Sequence, residues 1–165
     1  MYGGAANHTV PQSNSNQQAA THSSPTRARP DPNRIGVMGS NYAPNPGPAI
    51  DTATRPAWHR TGYKHFPYAA HQFGHWWVLR ANYGFPEHDM YTLFVDDQAV
   101  ADVTAGPEHP LPLLASIGAL HMTHPDPAIP MLDDDAATAV MSTVARYVDY
   151  GSEHGDPCLF CSTAN

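Results

Sequence analysis

Trp76-Trp77-Val78-Leu79-Arg80-Ala81, Tyr91-Thr92-Leu93-Phe94-Val95 and Ala99-Val100-Ala101-Asp102-Val103 are the stretches whose reading decides the fold. Each is short and rich in aromatic or β-branched residues, the composition of a half-buried or buried strand. Side chains alternate along a strand, so Trp77 and Leu79 share one side of the first run. Trp76, Val78 and Arg80 share the other. The polar turn Asp96-Asp97-Gln98 separates the last two runs and predicts an antiparallel hairpin. Gly106-Pro107 stops it. Upstream, Gln72-Phe73-Gly74-His75 suits a bend with Gly74 at its tip, predicting a second hairpin that begins near Tyr68. Asn82 to Asp89 contains Gly84 and Pro86 and reads as a loop.

Helices are expected further along. Leu113, Ile117 and Leu120 recur at helical spacing behind Pro112, although Gly118 weakens that segment. Three prolines between His121 and Pro130 mark a loop. From about Asp134 to Tyr150, Val140, Val144 and Val148 form an apolar stripe. Asp133 to Asp135 supply an N-cap and favourable charge at its start, and Gly151 ends it. The pattern predicts an α+β fold: a small antiparallel sheet of three or four strands, with one or two helices packed on one face. A disordered tail precedes it.

That tail spans residues 1–56, rich in Pro, Ser, Asn and Gln, with Val10, Ile35, Val37, Met38 and Ile50 scattered without a period. Such a segment buries too little apolar surface to offset about 1–2 kcal/mol of backbone entropy per residue. Met38 offers a second start codon. Residues 57–165 form the predicted acidic α+β domain. The chain's formal charge of −7 divides into +2 for the tail and −9 for the domain. A body that negative repels phosphate backbones, so no nucleic acid is expected as a partner. It would instead attract a basic protein. No apolar run is long enough to span a bilayer, no leader peptide is visible, and two cysteines make no disulfide framework. The expectation is a cytoplasmic protein without membrane contact.

Candidate chemistry centres on Cys158-x-x-Cys161 and the nine histidines beyond residue 57. Thiolates two residues apart can hold one tetrahedral zinc ion, with His71 and His75 as the expected imidazole pair. A redox role fits less well, because no helix can begin in the four residues after Cys161 to lower a thiol pKa. His154 lies near Cys158 in sequence, but catalytic pairs are assembled by folds rather than by adjacency. Ser116 lacks the glycine of a nucleophile elbow, and no glycine spacing matches a phosphate-binding loop. Turn formation accounts for Asp96 and Asp97, and helix capping for Asp133 to Asp135.

The remaining signal is aromatic. With helices on one face only, one of the adjacent tryptophans must face outward. Trp76, Arg80, Tyr83, Phe85 and Asp89 are therefore the expected partner-binding residues, since such side chains anchor interfaces. Three readings follow. The first is a non-enzymatic domain that binds a basic protein, in the manner of an immunity or antitoxin-type inhibitor. The second is a zinc-stabilised module, and the third a small enzyme built around His88, Asp89 and the His-rich loops.

Overall fold

A computed structural model describes residues 49–159, together with the backbone of 35–36. The predicted tail lies outside the described residues except at 35–36 and 49–56. Strands β2 (His59–Arg60), β3 (Tyr68–Gln72), β4 (His75–Ala81), β5 (Tyr91–Val95) and β6 (Gln98–Val103) form an antiparallel meander. The two-residue strand β1 (Ile35–Gly36) pairs with Val103 and Asp102 on the β6 edge. The fold is α+β, as the pattern predicts, but the sheet is wider than three or four strands. Both hairpins form. Phe73 and Gly74 close the first with φ of 53° and 83°, and Asp96 turns the second with φ of 54°. A bulge at Leu93/Phe94 shifts the β5–β6 register.

Helices α1 (Pro112–Gly118) and α2 (Asp134–Val144) lie on opposite faces of this sheet, which corrects the expectation of a single covered face. Leu113, Leu114 and Ile117 of α1 pack on Tyr68, Trp77, Leu79, Leu93 and Val103. Val140, Met141 and Val144 of α2 pack on Ala69, Val78 and Phe94. Gly118 is explained by packing: a Cβ there would meet the Gly106 carbonyl carbon at 2.5 Å. The connection from α1 to α2 passes around the β2 edge. There Met131 bridges Arg60 in parallel, and the Leu132 amide donates to the Arg60 carbonyl at 2.9 Å. The N-cap of α2 is Asp133, whose carboxylate accepts from the Ala136 amide at 2.8 Å. Beyond Val144 the chain tightens into a 3-10 turn at Ala145–Tyr147 and folds back over the sheet.

Order also reaches ahead of Trp58. Pro56 is buried, Ile50 packs against the α1-side core, and the Leu113 amide donates to the Thr52 carbonyl at 3.1 Å. No helix among the described residues is long and apolar enough to cross a membrane.

Candidate functional site

Arg80, Thr92 and Asp102 stand opposite one another on β4, β5 and β6. Strand alternation aims all three at the same face as Val78 and Phe94, next to the area covered by α2. Here the sheet carries a polar row in place of an apolar one. The segment 147–158 covers it.

Arg80 is fully enclosed, and its guanidinium organises the row. Its Nε donates to Asn82 Oδ1 at 3.0 Å and its Nη2 to Thr92 Oγ1 at 2.9 Å. Nη2 and Nη1 also donate to the two Glu153 carboxylate oxygens, at 2.8 and 2.5 Å. Nη1 further meets the Tyr147 and Asp149 carbonyls at 3.0 and 3.2 Å. The Glu153 side chain is only 2% exposed, so this is a two-pronged ion pair in the interior. The Thr92 hydroxyl donates to Asp102 Oδ1 at 2.6 Å, and the Tyr150 hydroxyl to Asp102 Oδ2 at 2.8 Å. Burial pushes the Asp102 carboxyl above its ordinary value, and Asp89 and Glu153 push the same way. The Thr92 and Tyr150 hydrogen bonds oppose the rise. Tyr150 is raised as well, first by burial and then by the Asp102 carboxylate. Among the described residues no buried side-chain nitrogen or oxygen lacks a hydrogen-bond partner. Partners of that completeness are what makes a buried polar row tolerable.

The covering segment owes its path to Gly151. Its φ is 86°, and a Cβ there would lie 2.2 Å from the Asp156 carbonyl oxygen. The loop closes when the Cys158 amide donates to the Tyr150 carbonyl at 2.7 Å. Closure stacks the Tyr150 ring on His88, with centroids 3.9 Å apart and planes 14° apart. It also brings Cys158 Sγ to 3.2 Å from His88 Nε2.

The residues expected at a partner surface scatter. Arg80 and Asp89 are buried; Asn82 Nδ2 donates to the Asp89 carbonyl at 2.9 Å and the Thr104 hydroxyl to its carboxylate at 2.8 Å. Neither presents itself to a partner in this conformation. Trp76 packs beside the α2 cluster and meets the His71 ring edge-on at 5.0 Å, while Trp77 is 2% exposed. With a helix on each face, the argument for an outward tryptophan lapses. Tyr83 and Phe85 do reach the surface. Tyr83 lines a cavity of about 430 Å³ with Arg60, Tyr63, Lys64, Met122 and Met131. Phe85 is 40% exposed in the β4–β5 loop.

The expected metal ligands scatter too. His71 and His75 sit at the β3–β4 turn, where His75 Nδ1 lies 2.7 Å from Asp96 Oδ2. Cys158 sits beside His88, in the loop that follows the far end of β4, and Cys161 lies outside the described residues. Of the residues proposed for a small enzyme, His88 and Asp89 adjoin the polar row. Sequence reading missed Thr92, Asp102, Tyr150 and Glu153. Strand parity offered one signal, since Thr92 and Asp102 alternate onto the same face as Phe94. No family model, no curated protein and no solved structure matches this chain.

Proposed function

We propose that the domain is a non-catalytic binding module for a basic protein partner, an inhibitor of the immunity or antitoxin kind working in the cytoplasm. The observation that supports this reading is the outward display of negative charge. Glu87, Asp97, Glu108, Asp126, Asp133, Asp134, Asp135 and Asp156 are exposed. Of the four cations beyond residue 57, Arg80 is enclosed and matched by Glu153, and Arg146 lies against Asp97 at 3.3 Å. The accessible surface therefore remains predominantly anionic. Such a field speeds and orients docking onto a basic surface. Exposed Tyr63 and Phe85 add rigid aromatic contact area of the sort that anchors interfaces.

Affinity capture with the full chain from native extract, followed by association kinetics with the purified partner, tests the reading. A basic partner is expected, with an association rate that falls steeply between about 50 and about 500 mM salt as screening shortens the field. Charge reversal at Asp134→Lys/Asp135→Lys should slow association further. Recovery of no partner, or an association rate indifferent to salt, contradicts it.

A further inference from the structure

We propose that the cavity between the bend at 61–66 and the α1–α2 connection binds a small aromatic carboxylate. The carrying observation is a convergence of cations. Of the four Lys and Arg side chains beyond residue 57, Arg80 and Arg146 meet carboxylates. The other two, Arg60 and Lys64, both line this cavity of about 430 Å³. The Arg60 Nε donates to the Ile129 carbonyl at 2.7 Å and its Nη2 to the Pro127 carbonyl at 3.3 Å. Carbonyls engage those hydrogens without cancelling the charge of the guanidinium. In the same connection the Asp126 carboxylate accepts from the Ala128 amide at 2.8 Å, not from Arg60. Lys64 Nζ stands 5.3 Å from the centroid of the Tyr83 ring.

The walls are in place before a ligand arrives. The Arg60 amide donates to the Pro130 carbonyl at 2.7 Å and the Leu132 amide to the Arg60 carbonyl at 2.9 Å, which laces the connection to β2. Gly62, with φ of 82°, lets the bend pass Met131, whose Cε would lie 3.3 Å from a Cβ at that position. The Tyr83 hydroxyl donates to the Lys64 carbonyl at 2.8 Å, and His65 meets the Tyr83 ring edge-on, with centroids 5.6 Å apart. Preorganisation of this kind spares a ligand the cost of ordering its site. The rest of the lining suits a flat apolar body. Tyr63 and Tyr83 offer aromatic faces, and Met122 and Met131 offer adaptable thioethers. Apolar walls with a few convergent polar groups, at the small end of the size range, are the form of a small-molecule pocket. A carboxylate fits better than a doubly charged group, because the domain's formal charge of −9 opposes each further negative charge. The proposal does not rest on the reading of a basic partner.

Nuclear magnetic resonance of the full chain with isotope-labelled methionine methyls, titrated with naphthoate and with its uncharged amide, tests this. The Met122 and Met131 methyl signals should shift under the ring current of the ligand, while Met141 of α2 stays in place. Naphthoate should show a dissociation constant of about 1 mM or tighter, and naphthamide should bind about tenfold or more weakly. Lys64→Gln should weaken naphthoate about tenfold and leave naphthamide as it is. Arg60→Gln should do the same, but Arg60 also holds the connection. Lys64 is exposed, so its variant separates lost charge from lost folding. Tyr63→Ala should weaken both ligands. No shift at Met122 and Met131 up to about 10 mM naphthoate would overturn the proposal. So would equal affinity for acid and amide. Tighter binding of naphthyl phosphate than of naphthoate would overturn the carboxylate assignment.

Discussion

The two faces of the sheet are held down by different physics. Under α1 the contact is mainly apolar, with Tyr68, Leu79, Leu93 and Val103 meeting Leu113, Leu114 and Ile117 and a single Trp58–Ser116 hydrogen bond at its side. Burial of that kind is non-directional and scales with area, at about 1.5–3 kcal/mol for a fully buried large side chain. The other face is divided. Its first half, Ala69, Val78 and Phe94, meets α2 through the same apolar contacts. Its second half is the row Arg80–Thr92–Asp102, closed by Glu153 and Tyr150 from the C-terminal segment. A polar row has partners only in one register. Slipping β4 against β5 by one residue would move Arg80 away from Thr92 and turn it to the opposite face, while Thr92 kept its place beside Asp102. The apolar face supplies stability, and the polar row selects which segment covers it and where.

The largest break in this comparison is Arg80→Met. It strands the Glu153 carboxylate in the interior and leaves the Thr92 and Asn82 oxygens short of a donor. Denaturant unfolding should show a loss of about 3–5 kcal/mol. On the apolar face Leu79→Ala should cost about 2–5 kcal/mol through lost burial and the cavity left behind. If its loss clearly exceeds that of Arg80→Met, the order of the two faces is reversed. Asp133→Ala removes only the α2 cap and should cost about 1 kcal/mol, which thermal melting can resolve.

The smallest effect at neutral pH sharpens the comparison instead. Burial holds the Asp102 carboxyl above its unfolded value, so the folded chain keeps that proton more tightly. Its contribution is full below the unfolded carboxyl range and is lost as pH rises through the folded value. The stability of the native chain relative to Asp102→Asn should therefore decline as pH rises above the ordinary carboxyl range. Parallel profiles in denaturant unfolding would show that Asp102 is not held as described.

What the sequence made legible is the part governed by neighbours along the chain. Alternation in Trp76 to Ala81, the Asp96-Asp97 turn, Val140 and Val144 of α2 and its Asp133 cap all carry local signals, and all appear. The helix expected to run to Tyr150, by contrast, stops at Val144, short of Val148 and Gly151. The placement of α1 and α2 on opposite faces depends on the route of residues 120–132 around the β2 edge. Pro125, Pro127 and Pro130 announce a loop there and give no direction. Arg80 resembles a surface anchor because its partner Glu153 lies 73 residues away. His88 and Cys158, 70 residues apart, meet through the same long-range closure.

The central claim is that the C-terminal segment is bound into the fold by the enclosed Arg80–Glu153 pair. A double-mutant cycle with Arg80→Met, Glu153→Met and their combination tests it in denaturant unfolding. The account predicts that each single change costs about 3–5 kcal/mol while the pair together costs clearly less than the sum, a coupling of about 2 kcal/mol or more. Additive losses, with a coupling inside about 0.5 kcal/mol, would contradict it.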